Sequence, residues 1–182
     1  MLIGSFVVAY GLFETTLERA LWTLSETDVA GTRPFTEKLN SSQFKMLKML
    51  GGGNANLSDK CNAVLKVAAQ VAEDLNEYRN SLVHGYLLSF GADSTPQFMK
   101  KPGWHDVKRN KPVGDAYIQE PLQDLILIAT WTLCKVVQLA EKSLTDQAAQ
   151  QAIVALAGEV NRARSYANET RHLCMLMNHE MY

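Results

Sequence analysis

Apolar residues recur at alternating four- and three-residue intervals over four long stretches of this chain, and that spacing demands helices packed side by side. In the first stretch Phe6, Tyr10, Phe13, Leu17, Ala20 and Leu24 fall on one stripe, which predicts a helix from about Leu2 to Ser25. Gly31 and Pro34 then break the pattern. A second helix is expected to start near Thr36, a suitable N-cap followed by Glu37, and to stop at Gly51-Gly52-Gly53. Ser58 and Asp59 open a third helix, whose seam is Val64, Ala68, Val71, Leu75, Tyr78 and Leu82. Pro121 suits the first turn of a fourth, with Leu122, Ile126, Ala129, Leu133, Val136 and Ala140 as its seam. Leu125, Ile128 and Thr132 widen that apolar face, so this helix is expected to be central. Thr145 and Asp146 cap a fifth helix over about 145–178, with Ala149, Ile153, Leu156, Val160, Ala163 and Ala167 inward. Its many alanines permit close packing on the bundle or on a second subunit.

Between the third and fourth helices the helical period disappears, from Tyr86 to Tyr117. Tyr86–Phe90 and Pro96–Lys100 read as two short strands joined across Gly91–Thr95, and Lys111-Pro112-Val113-Gly114 as a further turn. The expectation is one all-α domain over residues 1–182. It consists of a four-helix up-and-down bundle, a β-hairpin insertion at 86–118 and an extra C-terminal helix.

With 182 residues, 47% hydrophobic and 20% charged, the chain can bury a sizeable core. Its net charge of −1 means that any contact with nucleic acid must come from a local patch. Cys61, Cys134 and Cys174 are odd in number and far apart, which predicts reduced thiols and a cytoplasmic protein. The N-terminus is apolar but has no basic leader and is interrupted by Glu14, Glu18 and Arg19, so no signal peptide is expected. The most apolar run, Leu125–Cys134, is too short to span a bilayer and is flanked by Asp124 and Lys135, so no membrane association is expected.

The chemistry concentrates at the end of the third helix, in Tyr78-Arg79-Asn80-Ser81-Leu82-Val83-His84-Gly85. Arginine is a permanent cation whose planar donor fork suits phosphate. Histidine gains and loses its proton near neutral pH. A phosphate clamp beside a proton shuttle can cleave RNA. Glu73, Glu77, Asn80 and His84 form a stripe about 200° from the apolar seam, either a solvated face or a groove shared with a second molecule. Arg79 and His84 are about 140° apart on an ideal helix, so they must flank a cleft or Arg79 must reach around. His84 could also serve simply as a cation at a helix C-terminus.

The Arg79-Asn80-x-x-x-His84 pattern, on a long helix just before a glycine and a hairpin, resembles the signature of the HEPN superfamily, helical-bundle proteins that include many ribonucleases. The resemblance covers the frame from about Phe6 to Leu144 and not the segment after it. It implies a homodimer with two motifs over one groove, in which Arg79, Asn80 and His84 are catalytic and no metal or other cofactor is needed. It also implies a toxin or defence role, with an antitoxin protein as a possible partner. The alternative is a bundle that binds a nucleotide, RNA or protein without cutting.

Lys100, Lys101, Lys108 and Arg109, with Lys111, surround Trp104 and His105. Basic side chains interleaved with an aromatic suit single-stranded RNA, though an ordinary solvated loop has the same composition. Glu14 and Glu18, one turn apart, form a surface pair or a pair of carboxylates that orients Arg79 or a histidine. His172, Cys174 and His179 match no standard zinc spacing, and no phosphate-binding glycine loop or nucleophile elbow is present in the sequence.

Overall fold

The structure is a computed structural model. It describes the backbone of residues 2–28, 30–31, 43–84, 86–88, 97–100, 116–118 and 120–180, and the side chains within 4–28, 30–31, 45–83 and 121–173. Six helices occur among the described residues: α1 Leu2–Leu24, α2 Gln43–Gly51, α3 Asp59–His84, α4 Glu120–Ala140, α5 Gln147–Ala155 and α6 Ala157–Glu180. Three strands lie between α3 and α4: β1 Tyr86–Leu88, β2 Gln97–Lys100 and β3 Ala116–Ile118.

Ring and backbone contacts set the helix directions. Phe6 meets Tyr78 edge-on at 5.8 Å, and the Tyr10 hydroxyl donates to the Ala72 carbonyl at 2.9 Å, so α1 and α3 are antiparallel. The Cys134 thiol faces the Ala9 carbonyl, and Arg19 pairs with Glu141 at 2.6 Å, so α1 and α4 run parallel. Helix α6 packs on both α3 and α4, with Arg171 bonded to Asp74 and Lys135 to Glu159. The four long helices therefore alternate up, down, up, down along the chain.

The apolar seams account for the core. Phe6, Tyr10, Phe13, Leu17 and Ala20 are buried, as are all six seam residues of α3 and of α4. Helix starts follow from local chemistry: the Ser58 hydroxyl accepts from the Cys61 amide at 3.3 Å, and the Asp146 carboxylate accepts from the Ala148 amide at 2.8 Å. Helix α2 ends at Gly51, and Gly53 adopts φ +84°, a left-handed conformation that glycine takes without a Cβ clash. The turn is then fixed by Asn62, whose side chain bonds both the amide and the carbonyl of Asn54, while Asn54 donates to the Leu24 carbonyl.

The expected four-helix core with a two-stranded hairpin and one added helix requires two corrections. The insertion is not a lone hairpin: β1, β2 and β3 form a three-stranded antiparallel sheet in that order. Tyr86 pairs with Lys100 and Leu88 with Phe98 on one side of β2, and Phe98 with Tyr117 on the other. The third strand was hidden because Ala116-Tyr117-Ile118 is too short to show a period of its own. The C-terminal segment is not one added helix. It breaks at Leu156, whose amide turns to both the Ala152 and Ile153 carbonyls, and its second part, α6, is the fourth long helix of the bundle. Helix α2 packs on α3 and α1 and puts Leu47 and Leu50 into the core, and the start expected at Thr36 lies outside the described residues. Within α4, Thr132 is buried as expected, but Ile128 is 53% exposed and does not widen the core.

By length and composition alone Pro121–Ala140 could cross a membrane, but 56% of that window is buried, the position of a central bundle helix. Cys61 and Cys134 are free and buried, and burial pushes the Cys134 thiol up to about 11, which leaves it protonated and inert at neutral pH.

Candidate functional site at the seam of α1 and α3

Helix α3 delivers Arg79 and Asn80 in its last turns and ends at His84. The structure does not place Arg79 on the solvated stripe. Its side chain is 27% exposed and lies in the seam with α1, where Nη2 stands 3.8 Å from Glu14 Oε2. Nη1 donates to Asn80 Oδ1 at 3.1 Å. Long helical side chains lean toward the N-terminus of their own helix, which carries Arg79 back along α3 to Glu14. Arg79 thus stands apart from the Glu73–Glu77–Asn80–His84 stripe and reaches Asn80 through its guanidinium. Asn80 is half-buried, and Glu77 on the same stripe is exposed. The His84 side chain lies outside the described residues.

Tyr10 forms the floor of this seam. Its hydroxyl is pushed well above its ordinary value by burial first and by Glu14 second, while Arg79 pulls the other way. Tyr10 thus stays protonated and acts as a donor to Ala72 rather than as a base. The arrangement can hold a planar cation in a defined orientation, with a carboxylate on one side and an amide oxygen on the other.

Of the other candidates, Glu14 joins Arg79, one of the readings that the carboxylate pair on the first helix left open beside a histidine partner and a surface pair. Lys100 is the last residue of β2, and its side chain lies outside the described residues, as do Lys101, Trp104, Lys108 and Arg109 entirely. Among the described residues no group of three His, Cys, Asp or Glu side chains could hold a metal ion. The Cys174 and His179 side chains are outside them.

Sequence reasoning missed Asp74. Its side chain is only 8% exposed, Oδ1 accepts from Arg171 at 3.1 Å, and Oδ2 is buried without a hydrogen-bond partner. The available signal was its spacing: Asp74 follows Val71 by three residues and precedes Tyr78 by four, on the flank that meets α6. Burial raises its carboxyl above the ordinary value, and Arg171 only partly offsets this. A raised acid binds protons better folded than unfolded, so its contribution is most favourable below that raised value and declines as pH climbs through it. Asp74→Asn, which cannot ionise, is expected to make the slope of melting temperature against pH more positive than that of wild type between pH 4 and neutrality, as measured by thermal unfolding at several pH values. An unchanged slope would assign the pH dependence elsewhere.

Fold and seam together define a helical-bundle protein with a restrained arginine near the end of its longest helix. Comparison with family models, with curated proteins and with solved structures gave no match for the chain.

Proposed function

We propose that this protein is an endoribonuclease of HEPN type that cuts RNA through attack of a ribose 2′-hydroxyl, in the manner of a toxin or defence factor. The observation that carries this reading is the Arg79 guanidinium, held between Glu14 and Asn80 on the helix that ends at His84. A guanidinium fixed in advance stabilises a phosphorane without reorganising as charge builds. In the reaction a histidine draws the proton from the 2′-oxygen, which bonds to the adjacent phosphorus. The bond from phosphorus to the 5′-oxygen breaks, and a second proton-transfer group, the His84 of another copy in the resemblance, protonates the leaving oxygen. Strand β2 packs on α3 and ends at Lys100, so the Lys100, Lys101, Trp104, Lys108 and Arg109 segment starts beside that helix and would hold the RNA strand.

The alternative reading, a bundle that binds a nucleotide, RNA or protein partner without cutting, draws on the same pair: Glu14 already offsets part of the charge on Arg79. Incubation of wild type and His84→Ala with single-stranded RNA separates the two. The nuclease reading expects cleavage by the wild type and a loss of about 100–10,000-fold in the variant. Binding by both proteins with cleavage by neither would establish the alternative.

A further inference from the structure

Six large apolar side chains are exposed among the described residues; Met49 is on α2 and Val83 on α3, and the other four lie on the adjoining helices α1 and α4. On α4 Ile128 is 53% and Trp131 47% exposed; on α1 Val8 is 73% and Leu12 43% exposed. Val8 and Leu12 share a stripe with Arg19, and Arg19 reaches across to Glu141 just past the end of α4. That edge of α1 therefore adjoins α4, and the four residues form one patch.

The order of residues along α4 shows what the patch fits. Asp124, Ile128, Trp131 and Lys135 are all exposed and lie within about 60° of one another around the helix. Their spacing is four, three, four, a palindrome, and the charge at one end is opposite to the charge at the other. A second α4 laid antiparallel about a two-fold axis between Ile128 and Trp131 sets Asp124 against Lys135 twice. The same axis sets Ile128 against Trp131 twice. An isologous contact requires this self-complementarity, whereas an unrelated partner would not. A lipid surface fits less well, because both ends of the stripe are charged and the opposite face of α4 is committed to the core.

We infer that the α4 stripe, extended by Val8 and Leu12, is an antiparallel two-fold interface between copies of this chain. It lies on the side of α4 opposite the core stripe, separate from the Asn80–His84 face, and it does not depend on the ribonuclease reading.

Light scattering and sedimentation equilibrium on the full chain test it. The wild type is expected to self-associate through this face at micromolar concentration, as a dimer if it is the one interface formed and as a higher assembly if the Asn80–His84 face also pairs. Trp131→Glu should weaken association by at least about 30-fold, as loss of a central aromatic anchor does. Its helical circular dichroism should match that of the wild type. Asp124→Lys and Lys135→Glu should each weaken self-association. An equimolar mixture of the two variants should form heterodimers, because both cross-contacts then pair opposite charges. Lys135 also bridges Glu159 within the chain, so the mixture, rather than either single variant, is decisive. A monomeric wild type, a dimer insensitive to Trp131→Glu, or a mixture no more associated than its components would overturn the inference. So would a monomer that co-sediments through Trp131 with phosphatidylcholine–phosphatidylserine vesicles, which would assign the patch to a membrane surface.

Discussion

On the proposed ribonuclease chemistry, Arg79→Ala is expected to slow RNA cleavage by about 100–1,000-fold, the usual loss when one preorganised donor to a developing oxyanion is removed. The loss should fall on kcat more than on KM, because a contact that strengthens only as the phosphorane forms contributes little to ground-state binding. The fold should survive. Arg79 is 27% exposed and its contact with Glu14 is 3.8 Å, so the pair contributes about 1 kcal/mol or less to stability. Arg79→Lys keeps the charge but loses the planar fork, and it should recover only part of the rate. Single-turnover kinetics beside a thermal melt make the check. A full-rate Arg79→Ala enzyme would remove the arginine from the chemistry, and a melt lowered as far as by a core deletion would make its role structural.

The largest stability effect is expected two residues from the exposed tryptophan. Leu133 is fully buried at the centre of α4, between α1 and the helices opposite. Leu133→Ala removes methylene groups from a packed site that can collapse only partly, which costs about 2–5 kcal/mol. Denaturant unfolding should show the midpoint displaced with little change in slope. Trp131→Ala, on the same helix but facing out, should leave the monomer's stability within about 1 kcal/mol of wild type. Equal losses from the two changes would mean that the inner and outer faces of α4 are wrongly assigned.

The sequence made the helical seams legible because burial on one side of a helix enforces a period, and every seam residue of α3 and α4 is inside. It also showed that the apolar face of α4 is unusually wide, but not that Ile128 lies beyond the edge of the core. Period alone cannot tell a wide core face from a core face beside an exposed patch. The alanines of the C-terminal segment pointed to close packing on the bundle or on a second subunit, but period alone did not show the break at Leu156 or that α6 completes the bundle. The three-residue strand β3 is too short for any pattern. At the site, the motif was visible, but the direction of Arg79 was not. An ideal helix places the Cα atom, whereas the orientation of the guanidinium depends on Glu14, a residue 65 positions away in the chain that only the fold brings near. Asp74 was missed for the same reason: its partner, Arg171, is on the last helix.

The most direct measurement concerns the chemistry at the cut. On the proposed chemistry, RNA with a single 2′-deoxyribose at the cleavage position should resist cutting there. The all-ribose strand should be cut in the presence of EDTA and leave a 2′,3′-cyclic phosphate, and the His84→Ala enzyme should leave it intact. Cleavage of the deoxy strand at that position, or cutting of either strand that requires magnesium and persists in both Arg79→Ala and His84→Ala, would contradict the account.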